Sequence, residues 1–445
     1  MRIVIAGAGE VGSHLAKLLS GENQDITVVD TDRSHLDELD SRYNLMTVAG
    51  SPTSFATLRH AGVEHADLFI GVTPHENENI VSCSIASSIG AKRTVARIDN
   101  YEFVMPENRT YFTERGIDHL IYPELLAARE IVTALERSWA RTWFELHEGA
   151  LVVVGVKIRD NARICGMQLK EFGRSQHTFH VSAIKRNNST IIPRGDDYIE
   201  LNDIVYFVTT QANIDSLREI CGKASRDIKR VMVVGGSRIA VRLAALAGDK
   251  YKIRIIDDDR ARCLQLPEKC PECKIVHGDG RDTDTLLEEG IDRTDAFVAL
   301  TGSSEINILA CMTAKSLGVP KTIAEVENIH FISQAESLNI GTVINKKLLA
   351  SSRIFQILLS ADSSSSKFMA LADAELAEIE VKAGSKITSA CVKDLKLPHD
   401  MTIAGLIRND NEGMLVGGMT RIEPGDRVLV FCLTGALTKI ERLFT

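Results

Sequence analysis

The chain has 445 residues, of which 44% are hydrophobic and 25% charged, with a formal net charge of −8 at pH 7 and nine cysteines. This length predicts two to four domains, each with its own core. The acidic balance argues against a nucleic-acid partner, although backbone dipoles still bind small anions. No apolar run reaches the roughly 18 residues of a membrane span, and the chain starts directly in a strand. We therefore expect a cytoplasmic protein with reduced thiols and no signal peptide.

The first half alternates short apolar strands with amphipathic helices. The predicted strands are 3–6, 26–30, 45–48, 68–72, 95–98 and 119–121, and the predicted helices are 11–20, 53–61 and 77–89. This alternation indicates right-handed βαβ units and a parallel sheet covered on both faces. A long helix over 123–141 and a small β-rich module follow.

The second half repeats the first. Residues 2–12 read RIVIAGAGEVG and residues 230–240 read RVMVVGGSRIA, at an offset of 228. The same offset relates Asn79 to Asn307, and Asp30 matches Asp257 at an offset of 227. A register held over about seventy residues indicates a duplication.

We therefore predict an α/β fold of two tandem Rossmann-like, doubly wound parallel-sheet domains, each followed by a linking helix and a small α+β module. The predicted boundaries are a dinucleotide-binding domain at 1–122, a linking helix at 123–141, a module at 142–221, a second nucleotide-binding domain at 229–345, a linking helix at 346–361 and a second module at 367–445. The stretches 222–226 and 363–366 look like linkers.

A glycine-rich loop, Gly7-Ala8-Gly9-Glu10-Val11-Gly12, follows the first strand and opens a helix. In this context Gly7 permits a tight turn, Gly9 lets a pyrophosphate approach the backbone, and Gly12 packs the helix on the strand. The helix N-terminus offers unpaired N–H groups to phosphates. Asp30, at the end of the second strand, is expected to accept hydrogen bonds from ribose hydroxyls and to repel a 2′-phosphate. The loop predicts NAD(H) or an adenine nucleotide; the alternative is a glycine turn kept only for packing.

Three more residues lie at the carboxyl edge of the predicted sheet, where ligands bind in open parallel sheets. Thr73 and Pro74 follow the fourth strand, and Arg97 ends the fifth. Thr73 either caps the next helix or faces a ribose, and Arg97 either contacts phosphate or is a solvated ion-pair partner.

The second copy of the loop is degenerate. Ser237 replaces Gly9, Ala240 replaces Gly12, and Glu325 replaces Arg97, while Asp257 keeps the acidic position and Asp279 adds a carboxylate. A serine side chain crowds the pyrophosphate approach. We expect this half to bind a nucleotide differently, more weakly or not at all.

Other candidate sites are weaker. Cys270, Cys273 and His277 have metal-like spacing but lack a fourth ligand, so we do not predict a metal site there. His177 and His180 read as core or surface residues. The acidic stretch 76–79 reads as a helix start, and no sequence motif indicates catalytic residues.

The arrangement resembles the TrkA-like, NAD-binding regulatory subunits of bacterial Trk-type potassium-uptake systems, which contain two regulator-of-K⁺-conductance (RCK) units. The resemblance spans nearly the whole chain. It is carried by Ile3–Gly12, residues 21–30, Val72–Asn79, Ala96–Ile98, Val233–Ile239 and Ala296–Asn307.

The resemblance implies a cytoplasmic regulator at the inner face of the cell membrane. It would dock on a membrane potassium-translocating subunit and assemble into a homo-oligomeric ring of RCK units that nucleotides bias in shape. NAD(H) is implied for the first half, with ATP, ADP or NAD(H) left open for the second. The implied contacts are Gly7, Ala8, Gly9, Glu10, Val11, Gly12, Asp30, Thr73, Pro74 and Arg97, then Gly235, Gly236, Ser237, Arg238, Ile239, Asp257 and Thr301.

Two other functions remain open. An NAD-dependent dehydrogenase explains the first loop equally well, but it needs a substrate domain with an acid/base group, and a second dinucleotide-type unit stands in that place. A structural assembly protein with vestigial ligand sites would gain no thermal stability from any nucleotide.

Overall fold

The computed structural model describes residues 1–445 except 21–23, 172–177, 188, 225, 360–366, 372–373, 410–411, 434–442 and 445, and it leaves the side chains of 148, 359 and 367–371 undescribed. His177 and the expected linker at 363–366 lie outside the described residues. The chain forms two compact units, one of residues 1–126 with 346–362 and one of residues 127–345 with 363–445.

The first unit contains a six-stranded parallel sheet in the order β3-β2-β1-β4-β5-β6. The sheet is parallel and doubly wound, as the sequence predicts, and the structure supplies the strand order. Its strands are β1 Arg2–Ala6, β2 Asp25–Asp30, β3 Met46–Ala49, β4 Leu68–Gly71, β5 Thr94–Arg97 and β6 His119–Ile121. Its helices are α1 Glu10–Ser20, α2 Arg33–Arg42, α3 Phe55–His60, α4 Glu76–Ile89 and α5 Arg109–Thr113. The strands are buried almost throughout because helices cover both faces.

The second unit contains a matching parallel sheet in the order β14-β13-β12-β15-β16-β17. Its strands are β12 Arg230–Val234, β13 Lys252–Asp257, β14 Lys274–His277, β15 Ala296–Ala299, β16 Lys321–Glu325 and β17 Thr342–Ile344. The equal order of the two sheets confirms that the sequence repeat is a repeat of fold.

Two five-stranded antiparallel sheets complete the second unit, in the orders β10-β9-β11-β8-β7 and β18-β19-β22-β20-β21. The first module has β7 Thr142–Leu146, β8 Leu151–Lys157, β9 Phe179–Arg186, β10 Ser189–Ile191, β11 Ile204–Thr209 and α7 Ile214–Ile220. The second has β18 Lys367–Leu371, β19 Ala374–Glu380, β20 Met401–Arg408, β21 Glu412–Leu415 and β22 Arg427–Leu433. The helices between the strands of the second parallel sheet are α8 Arg238–Ala247, α9 Arg260–Lys269, α10 Thr283–Glu288, α11 Ser304–Ser316 and α12 Ile332–Ser337.

The first linking helix, α6 Pro123–Glu136, is shorter than expected and does not reach Arg141. The chain turns after Glu136, where the Ala140 N–H bonds the Arg137 carbonyl at 2.9 Å. Trp139 then packs edge-on against Trp143 with ring centroids 6.2 Å apart. Trp143 is buried in the module core, and Trp139 is partly buried against that core.

The second linking helix, α13 Lys346–Leu359, has the expected start. It follows the second parallel-sheet domain in sequence but packs on α1 and β6 of the first. Arg93 donates to the Ile357 carbonyl at 3.3 Å in the first unit, and Lys321, 228 residues later, donates to the Ser138 carbonyl at 3.3 Å in the second. Each parallel-sheet domain therefore binds the segment that follows the other domain.

An asparagine holds together the carboxyl ends of two central strands. Asn79, 1% exposed on α4, accepts from the Thr73 N–H at 2.8 Å and donates to the carbonyls of Thr73 and Arg97, both at 3.0 Å. These buried backbone groups lie beyond the ends of the ladder, so a side chain must satisfy them.

The second domain repeats this asparagine bridge. Asn307 accepts from the Thr301 N–H at 2.9 Å and donates to the carbonyls of Thr301 at 3.0 Å and Glu325 at 2.9 Å. The identity of Asn79 and Asn307 across the repeat thus has a structural cause.

Each module contains a buried aspartate in the turn before its last long strand. Asp203, 1% exposed, accepts from Arg186 Nε at 2.9 Å and Nη2 at 2.8 Å, and from the Glu200 N–H at 2.8 Å. Asp426 accepts from Arg408 Nε and Nη2, both at 2.8 Å. The two-pronged arginine contact fixes the turn to the neighbouring strand.

We predict that Asn79→Ala destabilises the first domain by about 3 kcal/mol, since it strips partners from three buried backbone groups. Asn77→Ala, at an exposed position of the same helix, should change stability by less than about 0.5 kcal/mol. Urea denaturation followed by circular dichroism measures both. Equal stability of the two variants would contradict the bridging role of Asn79.

We predict that Asp203→Ala lowers the stability of the first module by about 3 kcal/mol, because the Arg186 guanidinium loses its buried partner. Both tryptophans of the chain, Trp139 and Trp143, belong to this module, so the urea midpoint of intrinsic fluorescence reports it. The matched control is Asp196→Ala, which removes a carboxylate that is 88% exposed and should leave the midpoint almost unchanged.

Candidate functional site

The glycine-rich loop of the first domain lies where β1 ends and α1 begins. Gly7 has φ +111°, and a Cβ there would lie 2.8 Å from the Thr73 nitrogen. A Cβ on Gly12 would collide with the Gly7 carbonyl, whereas one on Gly9 would meet no atom within 4 Å. Gly7 and Gly12 are thus required by packing, and the space over Gly9 is open to a ligand.

Asp30 ties this loop to the end of β2. Its carboxylate accepts from the Ala8 N–H at 2.5 Å and from the Asp32 N–H at 2.8 Å. Asp30 remains partly exposed, and a carboxylate has acceptor capacity beyond two bonds. Asp30 therefore orients the loop and keeps lone pairs for a ligand.

Thr73, Pro74 and Arg97 lie together at the carboxyl edge. The Thr73 hydroxyl lies 3.2 Å from both the nitrogen and the oxygen of His75, in the turn before α4. Arg97 donates to the Thr73 carbonyl at 3.3 Å and pairs with Asp99 at 3.0 Å. Thr73 thus bonds within the turn before α4, Arg97 lies in an ion pair, and the ligand contacts expected of both stay predictions. Pro74 is exposed.

Glu10 on the loop forms an ion pair within the first unit that the sequence did not predict. Lys347 Nζ, on α13, lies 2.7 Å from Glu10 Oε2. The pair links the helix that begins at the phosphate loop to a helix that follows the second domain. No local sequence signal identifies it, since the partners are more than three hundred positions apart.

The acidic position of the second domain is closed by an arginine. Asp257 is 3% exposed and accepts from the Gly236 N–H at 2.5 Å and the Asp259 N–H at 2.8 Å. In addition Arg262 Nη1 lies 2.9 Å from Asp257 Oδ2, and this hydrogen bond raises the pKa of Arg262. The guanidinium takes lone pairs that are free on Asp30.

The second loop also differs at its centre. Gly235 keeps the positive φ, at +96°, but Ser237 has a buried hydroxyl without a hydrogen-bond partner among the described residues. Ile239 is buried and Arg238 exposed. Ser237 therefore carries a buried hydroxyl at the position that aligns with Gly9, over which the first loop has open space.

The remaining second-half candidates bond to their neighbours. Asp279 pairs with Arg281 at 2.7 Å, which lowers the pKa of Asp279. The Thr301 hydroxyl lies 2.7 Å from Asn307 Oδ1, and Glu325 is buried. Sequence reasoning missed Arg262 and treated the asparagine pair only as a marker of register; its identity across the repeat was the available signal.

The weaker sequence candidates other than His177 lie within the described part of the chain. Among the described residues, no group of three or more His, Cys, Asp and Glu side chains is placed to hold a metal ion. His180 is half-buried beside Ser182 at 3.2 Å, and burial lowers the pKa of His180 to about 4. In the described part of the chain, none of the helices is both long and apolar enough to cross a membrane.

Comparison with solved structures supports the fold. A crystal structure of the GsuK RCK domain superposes with a TM-score of 0.60 at 16% identity, covering 99% of this chain and 94% of that chain. The GsuK channel bound to NAD gives a TM-score of 0.59 at 16% identity, covering 100% of this chain and 78% of that chain. At this identity the likeness shows the shared fold.

Sequence comparison shows the family. The TrkA-N domain matches residues 3–123 and 231–346, and the TrkA-C domain matches residues 153–222 and 376–445. The chain is 31% identical to the Trk system potassium uptake protein TrkA of Halomonas elongata, covering 100% of this chain and 98% of that protein. It is 30% identical to the TrkA homolog of Archaeoglobus fulgidus, covering both chains completely. With two TrkA-N and two TrkA-C domains along its length, the chain belongs to the TrkA family of Trk system potassium uptake proteins.

Proposed function

We propose that the protein is a nucleotide-binding regulatory subunit of a Trk-type potassium-uptake system, not an enzyme. In this role it lies at the inner face of the cell membrane, in a ring of RCK units, and docks on a membrane potassium-translocating subunit. NAD(H) binding to the first domain changes the conformation that the membrane subunit senses. Membership of the TrkA family and the duplicated domains support this proposal.

The open space over Gly9 is the observation that carries the nucleotide part of the proposal. A pyrophosphate placed there meets the N-terminus of α1, whose free N–H groups and dipole favour anions. Asp30 is already oriented by the Ala8 N–H and lies at the ribose end of the same edge. Thr73, Pro74 and Arg97 complete the proposed contact set on the other side of the loop.

The Glu10–Lys347 ion pair suggests how occupancy is transmitted. A ligand pyrophosphate beside Glu10 adds negative charge next to an ammonium group on α13. The helix α13 connects the second domain to the second module, so a change in its packing on α1 passes along the chain. A ligand shifts such an equilibrium only to the extent that it binds one arrangement better.

For the second domain we propose a different and weaker response, whether its ligand is NAD(H), ATP or ADP. Arg262 competes with a ribose for Asp257, and Ser237 narrows the pyrophosphate approach. Its proposed contacts are Gly235, Gly236, Ser237, Arg238, Ile239, Asp257, Asp279 and Thr301.

Gly9→Asp is expected to abolish NADH binding, because it places a carboxylate where the pyrophosphate lies. The backbone there has no positive φ and a Cβ meets no atom, so the variant should fold normally. Isothermal calorimetry with NADH, together with potassium uptake in a transport-deficient strain, is the test.

Ser237→Asp is the matched control in the second domain and should leave the NADH affinity of the first site unchanged. If Gly9→Asp binds NADH as wild type does, the first loop is not the regulatory site. If it loses NADH but potassium uptake keeps its response to the nucleotide, the gating proposal fails.

Asp30→Asn is expected to reduce the preference for NADH over NADPH by at least tenfold, since the charge that repels a 2′-phosphate is removed while an oxygen remains for the Ala8 N–H. Binding of both dinucleotides is measured by fluorescence titration. Asp25→Asn, at the exposed start of β2, is the control. An unchanged preference in Asp30→Asn would remove Asp30 from the specificity mechanism.

A further inference from the structure

A cationic cavity lies within the second unit, at the edge of the second parallel sheet opposite to the glycine loop. Its volume is about 370 Å³, within the usual size range of small-molecule sites. The first module and the second parallel-sheet domain both line it. Its cationic lining residues are Arg141, Lys157, Arg159, Lys223, Arg226, Lys315 and Lys321.

One asparagine gathers three of these cations. Asn339, with φ +56°, directs its side-chain oxygen at Arg141 Nη2 (3.1 Å) and Arg159 Nη2 (2.8 Å). Its backbone carbonyl accepts from Lys315 Nζ. A neutral amide therefore holds two guanidinium groups and an ammonium group close together, and it does not cancel their charge.

Two lysines of the cavity are left without such contacts. Lys321 Nζ is anchored by the Ser138 carbonyl at 3.3 Å and the Thr342 hydroxyl at 3.1 Å. By contrast, the amines of Lys157 and Lys223 make no hydrogen bond or ion pair with another described residue, and both side chains are half-buried. They are therefore available to a ligand.

The nearby carboxylates do not neutralise the cluster. Asp295 is the only acidic residue among the described lining residues, and it accepts from the backbone N–H of Arg230 at 2.8 Å. Glu336 pairs with Lys185 at 2.6 Å and also interacts with Arg141 and Lys157 over a longer range. Glu130 interacts with Lys321 in the same way. The cavity thus keeps a net positive charge in a chain whose overall charge is negative.

Burial and crowding make these charges costly. Burial, with Arg141, Arg159 and Lys315 nearby, lowers the pKa of Lys157 to about 8. Burial and Arg141 lower the pKa of Lys321 to about 7 despite Glu130. Burial likewise lowers the pKa of Lys223. Such crowding is unfavourable in an empty cavity and favourable around an anion.

We propose that this cavity binds a diphosphate group, held by the guanidinium forks of Arg141 and Arg159 and by the amines of Lys157 and Lys223. Arginine forks match phosphate oxygens in pairs, and lysines add mobile point charges. The site would bring the first module and the second domain under control of an anion distinct from the one at the Gly9 loop.

The test uses inorganic pyrophosphate with the full chain, by thermal shift and calorimetry. Pyrophosphate should raise the melting temperature more than sulfate does at equal ionic strength. Lys157→Met with Lys223→Met should weaken pyrophosphate binding at least tenfold, without lowering the melting temperature of the free protein, because like-charge repulsion is relieved. Lys382→Met with Lys386→Met removes the same charge at exposed positions and should bind as wild type.

Proton uptake gives an independent readout. An anion restores the charged form of lysines whose pKa is lowered, so binding at pH 8 should take up protons. The calorimetric heat should then vary with the ionisation enthalpy of the buffer, and the affinity should fall as the pH rises through 8. A structural role for the lysines alone would produce no such proton uptake.

The Gly9→Asp background separates this site from the glycine loop. Pyrophosphate binding should persist there, and this result does not depend on whether NADH regulates the protein. In the same background, ADP binding that requires Lys157 and Lys223 would identify a nucleotide as the source of the diphosphate, and a response to pyrophosphate alone would identify the inorganic anion.

Three outcomes would overturn the proposal: a response no larger than that to sulfate, unchanged affinity in the double lysine variant, or loss of pyrophosphate binding in Gly9→Asp. If the double variant does not fold, the single variants Lys157→Gln and Lys223→Gln, at the same half-buried positions, replace it. Unchanged pyrophosphate affinity in both would also overturn the proposal.

Discussion

The position of the glycine-rich loop of the first domain depends on one buried amide, the side chain of Asn79. Asn79 holds the backbone of Thr73 and the carbonyl of Arg97, and the Gly7 turn packs directly against the Thr73 nitrogen. The loop therefore packs on the turn at Thr73, and the side chain of Asn79 on α4 holds that turn in place. Because strand hydrogen bonding stops at this edge, the backbone groups there need a partner from outside the ladder. Asn307 does the same in the second domain, so the two domains share this support even though their loops have diverged.

The divergence lies in the side chains around the shared support. In the first domain Asp30 binds the loop and stays partly exposed, whereas Asp257 is buried under Arg262. The first loop has open space over Gly9, whereas the aligned Ser237 carries a buried hydroxyl without a partner among the described residues. The two copies of one fold thus differ in the side chains at the carboxyl edge of the sheet. This asymmetry suits a protein in which two domains respond to different signals, and the cationic cavity of the second unit adds another place where an anion can act.

Each parallel-sheet domain binds the segment of chain that follows the other parallel-sheet domain. The helix α13 follows the second domain and packs on α1 of the first, where Lys347 meets Glu10. The segment after α6 likewise contacts Lys321 of the second domain. A ligand that alters the packing at either domain therefore acts on a segment that leads to a module. The relatives compared above are named as potassium uptake proteins, not as enzymes.

Sequence alone determined the duplication, the doubly wound parallel-sheet fold of both domains, the glycine loop and the acidic positions, because these depend on local periodicity and short spacings. The domain boundaries and contact residues inferred from it stay predictions. Tertiary structure decided which side chains meet. Lys347 pairs with Glu10, and Asn339 gathers cations from distant segments, because packing brings these parts of the chain together. Arg262 is only five positions from Asp257, but its hydrogen bond to that carboxylate follows from the direction of its side chain, which neither hydrophobic pattern nor motif spacing encodes. The intact glycine motif can be recognised in the sequence. The difference between the surroundings of the two loops is known only from the tertiary structure.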